Sequence, residues 1–448
     1  MTGFHLRTAR DQPLPTDADT FVLDWFGGAH RQRSTVSATT DLLYGLAPTP
    51  AARDLFRLGG AVYCVDKVAR RDRTADAWTR ELDLAAPVTT RSDWQTARQA
   101  LTEALAFLSG DRWKLRFRAG AGGVSGETRV RPPDAICLFS GGLDSLAGAI
   151  DLLEEGRDVI LVGHFESGFI GGVQETLARE LRRNYRDRVR LRQLRLGPAK
   201  PNRLQARPLP SEKEREVTTR ARSFLFVAAG LAVASAFGEE VPLYVPENGF
   251  IGINVPFVAS RAGSLSTRTT HPYFMAQLED ALDALGIGNE IVNPFRVKTK
   301  GEALAECRNK KLLAALVDDS ISCAHPESAR WDRLPPSNCG YCFPCLIRRG
   351  ALHGISLDAG ASYRHDALTE ADLLEEESDR GADLRALVRG LARDPHRTDV
   401  LRNGAVPADD AAAFDAVYRR GRDEFLSWIT AGAGQELLDA LTAGGDRG

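Results

Sequence analysis

The sequence predicts an α/β protein: a parallel sheet with helices on both faces, flanked by a β-rich α+β amino-terminal region and a helical carboxy-terminal region. Three observations predict it. Between residues 134 and 356 short apolar runs alternate with amphipathic stretches, the pattern of strands and helices in a parallel sheet. Before residue 130, β-branched and aromatic residues sit among polar neighbours in strand-like runs. Beyond residue 357 the chain turns acidic and Leu-rich with helical spacing. At 448 residues the chain exceeds one ordinary domain, and the three regions 1–130, 134–356 and 357–448 are read as its units.

In the first region residues 20–25, 60–68, 78–84 and 113–117 read as strands. Residues 94–108 form the one helix expected there, with Ala97, Leu101, Ala104, Leu105 and Leu108 on one face. Residues 118–133, with Gly120, Gly122, Gly123 and Gly126, read as a linker. In the middle region strands are expected at 135–139, 159–165, 189–196 and 243–245, and helices at 144–154, 174–184 and 222–237. The last region places helical segments at 368–391 and 411–441 around a looser 393–407. Trp25, Trp78 and Trp113 read as core residues.

Lys and Arg number 58 against 60 Asp and Glu, a net charge of −2. That balance argues against a general nucleic-acid binder, and the run Arg182, Arg183, Arg186, Arg188, Arg190 and Arg192 reads as a solvated face. Neither a signal-peptide pattern nor a membrane-spanning apolar run is present. The seven cysteines are an odd count, which speaks against a disulfide framework, and a cytoplasmic protein without membrane attachment is expected.

The chemistry is concentrated in Ser140-Gly141-Gly142-Leu143-Asp144-Ser145, which follows an apolar strand and opens a helix. Two glycines let backbone N–H groups approach an anion without an intervening Cβ, and the helix N-terminus adds unpaired donors. Ser140 and Ser145 offer hydroxyls to phosphate oxygens; Asp144 is expected to hold Mg²⁺ or to organise the loop. The string lacks the Gly-Lys-Ser/Thr ending of a Walker loop and the third glycine of the dinucleotide fingerprint. It resembles the PP-loop of the ATP pyrophosphatases, whose fold is HUP-like. That resemblance implies cleavage of ATP between its α and β phosphates, an adenylated intermediate, and attack by a nitrogen or sulfur nucleophile. Arg222 and Lys300, each near a helix start, are candidate partners for the leaving pyrophosphate.

Cys323 is followed by Cys339-Gly340-Tyr341-Cys342-Phe343-Pro344-Cys345. Four thiolates at this spacing complete a tetrahedral zinc site with no open position, hence a structural one; an iron–sulfur cluster is the alternative. With the phosphate loop, this knuckle resembles the QueC family, the 7-cyano-7-deazaguanine synthases, over residues 134–354. Leu346-Ile347-Arg348 follows the cysteines as it does in that family, Thr299, Lys300 and Glu302 match its Thr-Lys-x-Glu segment, and Arg222-Ser223 match part of its Gly-Arg-Asn segment. The family's Tyr-Gly-Gln motif is replaced by His164-Phe165-Glu166-Ser167-Gly168, and the gap from Cys323 to Cys339 is longer than usual. The resemblance implies ATP, Mg²⁺ and structural zinc, adenylation of 7-carboxy-7-deazaguanine, and amide formation followed by dehydration to a nitrile.

The added outer regions resemble enlarged QueC-like proteins of bacterial antiphage operons, such as the QatC type. They imply transfer of the acyl group to ammonia or to an amine on a partner protein of the same operon. His164, Glu247 and Asn248 are the candidate substrate contacts, Glu247 and Asn248 because they follow a strand end. His271 and His164 could also serve acid–base chemistry, with a structural histidine the plainer reading. Two rival readings are a thiolating PP-loop enzyme acting on tRNA, which needs a catalytic cysteine, and a non-catalytic scaffold that senses nucleotide.

Overall fold

A computed structural model describes residues 1–40, 42–120, 126–257, 268–375, 377 and 380–443. The first sheet is built from β1 (Thr2–Arg7) and β2 (Phe21–Asp24), while β3 (Val36–Thr40) leaves for a second sheet. Then follow α1 (Pro50–Val68), β4 (Glu81–Val88), α2 (Arg91–Ser109) and β5 (Arg112–Ala119). The first sheet has the order β2-β1-β4-β5, and all three pairings are parallel. The amino-terminal region is therefore less β-rich than expected, carrying two helices of 19 residues each.

Residues 60–68, expected as a strand, are the second half of α1. The β-branched Val62, Val65 and Val68 and the aromatic Tyr63 favour a strand by propensity, but Thr49 caps the helix through Ala52 N and Pro50 occupies its first turn. Burial then overrides propensity, because α1 is enclosed along most of its length. Gly59 and Gly60 are packing notches. A Cβ on Gly59 would stand 3.1 Å from the Leu225 backbone, and one on Gly60 would stand 2.5 Å from the Trp25 ring. β4 starts later than residue 78 because Asp76 accepts from Trp78 N and Thr79 N in a turn that holds Trp78 out of the sheet. Trp113 is core as expected, Trp25 packs against it, and Trp78 is exposed under the Arg220 guanidinium, 4.0 Å from the ring centroid. Of the expected linker, Arg118 and Ala119 end β5, residues 121–125 lie outside the described residues, and the Thr128 hydroxyl donates to Ala236 O at 2.8 Å.

The second sheet receives β6 (Ala135–Leu138), α3 (Leu143–Glu154), β7 (Val159–His164), α4 (Gly168–Tyr185) and β8 (Val189–Pro198). After these come α5 (Arg222–Ala234), β9 (Leu243–Tyr244), α6 (Gly249–Ile253), α7 (Pro272–Leu285) and β10 (Ile291–Val292). Its order is β10-β9-β6-β7-β8-β3. The first five strands in that order run parallel, as expected, and β3 closes the edge antiparallel to β8, so the sheet is mixed. β3 joins residues 36–40 to a sheet otherwise made by residues 135–292, and α1 packs on α5 within one continuous core.

The remaining chain is helical: α8 (Lys300–Ala305), α9 (Lys310–Leu316), α10 (Phe343–His353), α11 (Ala382–Leu391), α12 (Ala408–Gly432) and α13 (Gln435–Ala443). The helix expected from residue 368 begins only at Ala382, after a short 3-10 turn at Ala371–Leu374. α12 buries Phe414, Val417, Tyr418, Phe425, Trp428 and Ile429 in a core shared with Phe250, Leu346 and Ile347. Among the described residues, no helix is long and apolar enough to cross a membrane.

Candidate active site

The parallel part of the second sheet begins at β6, adds β7 and β8 on one side, then returns to add β9 and β10 on the other. The strand order therefore reverses between β6 and β9, the place beyond the carboxyl ends of the strands where open α/β sheets have their ligand crevice. The Ser140–Ser145 string lies at the end of β6, and Glu247 and Asn248 follow β9.

Gly141 turns the chain with φ of +89°, a conformation that a side chain disfavours. Gly142 then caps α3 with no side-chain hydrogen bond, so no side chain occupies the donors of the first turn. The hydroxyls knit the loop: Gly142 N donates to Ser140 Oγ at 3.3 Å, Ser140 Oγ meets Ser145 Oγ at 3.2 Å, and Ser145 Oγ donates to Gly142 O at 2.9 Å. Leu143 is fully buried, so only its backbone faces the loop's business.

Asp144 is the hub. Lys300 Nζ donates to its Oδ1 at 2.7 Å across 156 residues of sequence, and Asn248 Nδ2 donates to its Oδ2 at 2.7 Å. Lys300 is only 4 % exposed. It is the first residue of α8, whose N-cap Thr299 forms a capping box with Glu302. Glu424 of α12 takes the Thr299 hydroxyl on Oε1 and Gly301 N on Oε2, so the carboxy-terminal helix braces the helix that carries Lys300. Asn248 Oδ1 meanwhile caps α6 by accepting from Ile251 N at 3.0 Å. Glu247, beside Asn248, is partly exposed; Thr270 Oγ1 donates to its Oε2 at 2.5 Å. Burial first and the Asp144 charge further down the order push its carboxyl up to about 7, against the Thr270 bond and Lys300.

His164 and Arg222 belong to a neighbouring cluster at the end of β7. His164 is 2 % exposed, and neither ring nitrogen has a hydrogen-bond partner. Burial, then the Arg222 guanidinium, holds its pKa down to about 3, so the ring is neutral. It lies edge-on to Tyr63 of α1 and near Phe226 of α5. Tyr63 donates its hydroxyl proton to Glu166, and Lys67 Nζ reaches the same carboxylate at 3.2 Å. Burial opposes ionisation of Glu166, yet Lys67, Tyr63 and Arg222 together hold its carboxyl below the ordinary range. Arg222 itself is exposed at the start of α5 and makes no ion pair with the loop among the described residues. His271 Nδ1 caps α7 by accepting from Tyr273 N at 3.2 Å, and its Nε2 is buried without a hydrogen-bond partner among the described residues.

Cys323, Cys339, Cys342 and Cys345 form a group that can hold a metal ion, with all four sulfurs within 4.8 Å of one another. The Cys323–Cys342 and Cys339–Cys345 pairs lie 3.8 and 3.9 Å apart. Four thiolates around one zinc ion at ~2.3 Å would stand about 3.8 Å apart. Backbone N–H groups of Cys339 and His325 point at Cys323 Sγ, and that of Cys342 at Cys339 Sγ, as suits anionic sulfur. Gly340 makes the turn with φ of +93°; a Cβ there would stand 1.9 Å from His365 O.

Three contributors escape sequence reasoning. Ile321 N donates to Gly141 O at 3.0 Å, tying the chain just before Cys323 to the Ser140–Ser145 loop. The adjacent Ser322 hydroxyl is buried without a partner, and a Cβ on Gly142 would stand 3.6 Å from it. Gln174 Nε2 donates to both Ser140 O and His164 O at 3.3 Å, linking the ends of β6 and β7. No local signal in the sequence marks any of these. Compared with models of protein families, with curated proteins and with solved structures, the chain finds no significant match.

Proposed function

We propose that this chain is a QueC-like ATP-dependent enzyme of the PP-loop class. It adenylates a carboxylic acid, 7-carboxy-7-deazaguanine being the acid the resemblance implies, releases pyrophosphate, and passes the acyl group to ammonia or to an amine on a partner protein in antiphage defence. The observation that carries this reading is the switch in strand order between β6 and β9, with the Ser140–Ser145 loop at the end of one strand and Glu247 and Asn248 after the other. There an uncapped helix start, two hydroxyls of the loop and the unpartnered Ser322 hydroxyl stand beside Gly142, and Lys300 reaches Asp144 two residues on. An unpartnered buried donor is costly unless a ligand uses it. Phosphate oxygens would satisfy all of these groups at once.

In the reaction, ATP enters as its Mg²⁺ salt. The N–H groups of the first turn of α3 and the Ser140, Ser145 and Ser322 hydroxyls hold the phosphates. Asp144 fixes Lys300 and Asn248 in place, and Lys300 stabilises charge developing on the departing pyrophosphate. Arg222, exposed at the start of α5, stands by the cluster at the end of β7, where Glu166 would meet the substrate and the buried His164 would back it. The four thiolates take zinc, which cross-links the knuckle and leaves no open position for chemistry.

A thiolating reading is disfavoured by the remaining cysteines. Burial pushes the Cys64 and Cys307 thiols up to about 12 and raises that of Cys137 as well, the opposite of an activated nucleophile. The test is Asp144→Asn: pyrophosphate release should vanish while the fold persists, and normal turnover by the variant would contradict the assignment.

A further inference from the structure

The reaction proposed above needs a group that removes a proton from the attacking amine, and neither the phosphate loop nor the lysine supplies one. Lys300 is committed to Asp144, and both carboxylate oxygens of Asp144 are occupied, by Lys300 and by Asn248. His164 is neutral but lies in the neighbouring cluster at the end of β7, walled by Tyr63 and Phe226. The carboxyl of Glu247 stands one residue from the asparagine that holds Asp144.

Its geometry is that of an aimed group with one working oxygen. The backbone of Glu247 is fixed on both sides by Asn293, whose Oδ1 accepts from Glu247 N at 3.4 Å and whose Nδ2 donates to Glu247 O at 2.9 Å. The side chain is fixed at Oε2 by the Thr270 hydroxyl, the Thr270 backbone N–H also favours the ionised carboxylate, and no side chain donates to Oε1 among the described residues. The residue is partly exposed, so Oε1 is not sealed from the crevice.

We propose that Glu247, acting through Oε1, is the proton acceptor for the amine that attacks the acyl adenylate. This inference rests on the adenylation reading. The amine nitrogen bonds to the acyl carbon, the bond from that carbon to the phosphate oxygen breaks, AMP leaves with the electron pair, and the nitrogen's proton passes to Oε1. The charged groups that act on Glu247 are Asp144 of α3, which favours its protonated form, and Lys300 of α8, which favours the ionised one. With burial they leave the carboxyl poised near neutrality, where a general base is most effective.

The test compares two half-reactions in the full-length protein: acid-dependent exchange of labelled pyrophosphate into ATP, and single-turnover acyl transfer to ammonia from pre-formed adenylate. In Glu247→Gln the transfer rate should fall on the order of 100-fold further than the exchange rate. The wild-type transfer rate should rise with pH through about 7 and the variant should lose that limb. Thr270→Val removes the side-chain hydrogen bond that favours the ionised carboxylate, so its limb should move to higher pH. Equal losses in both half-reactions of Glu247→Gln, or a limb that survives it or stays in place in Thr270→Val, would overturn the role of Glu247. Absence of acid-dependent exchange in the wild type would overturn the adenylation reading instead.

Discussion

Ile321 donates its backbone N–H to the carbonyl of Gly141 at 3.0 Å, which joins the four-cysteine knuckle to the phosphate loop two residues before the first thiolate. The knuckle is thus part of the wall of the crevice. Its neighbour Ser322 carries the unpartnered hydroxyl beside Gly142, and Asn338, just before Cys339, accepts from Ser322 N at 3.1 Å. A metal that fixes Cys323 relative to Cys339 therefore also fixes the donors that would face phosphate.

One zinc ion per chain is expected, and its removal should weaken nucleotide binding along with stability. Titrating the protein with a chelator while following zinc release and ATP affinity should show the two falling together. A protein that loses zinc and binds ATP unchanged would break the link between knuckle and loop. Ser322→Ala should weaken ATP binding by about 0.5–1.5 kcal/mol without loss of metal.

Gly141→Ala places a side chain at a φ of +89° and a Cβ 3.1 Å from Val173 Cγ1. The left-handed backbone alone should cost about 1–2 kcal/mol, read by chemical denaturation, and the displaced loop should lose pyrophosphate release. Full activity in this variant would mean that the turn at Gly141 is not needed for the chemistry.

Glu424→Ala removes the acceptor for the Thr299 hydroxyl and for Gly301 N at the start of α8. Burial holds this carboxyl above its ordinary range against those same two hydrogen bonds. The variant should lose about 1–3 kcal/mol of stability and, because Lys300 opens α8, should lower kcat. Glu424→Gln keeps one acceptor and should be milder. An unchanged kcat in Glu424→Ala would separate α12 from catalysis.

Stability should fall in acid through buried neutral histidines. His164 and His271 bind protons at 6.5 when exposed, but burial lowers them to about 3 and about 4 in the folded chain. Between those values the unfolded chain binds more protons, so their contribution is full above pH 6.5 and is lost as pH falls through the folded values. Glu247 has the opposite sign: raised from 4.5 to about 7, its contribution is present below 4.5 and lost as pH rises through 7. His271→Asn keeps a good helix cap and removes one titrating group. Its Tm should change less than the wild type's between pH 4 and 6.5; an identical slope would contradict the assignment.

The loop, its strand and its helix were legible because β6 is a short apolar run and α3 carries apolar residues at helical spacing, with two glycines between them. Lys300, Asn248 and the four cysteines were legible from their positions at a helix start, a strand end and a metal-ligand spacing. Other parts were hidden by tertiary context. The valines of α1 favour a strand locally, and only enclosure between the first sheet and α5 makes them helical. β3 has little apolar content and exists as an edge paired with β8, far along the chain. Gln174, Ser322, Thr270 and Glu424 are single polar residues from separate elements, and only the fold brings them to the crevice.

The central claim is tested most directly by measuring pyrophosphate and AMP release with ATP and Mg²⁺, with and without 7-carboxy-7-deazaguanine, followed by mass spectrometry of the products and of candidate partner proteins. The account predicts release that depends on the acid and a product mass that identifies the amine acceptor. ATP binding without any acid-dependent release would contradict it and favour a nucleotide-sensing scaffold.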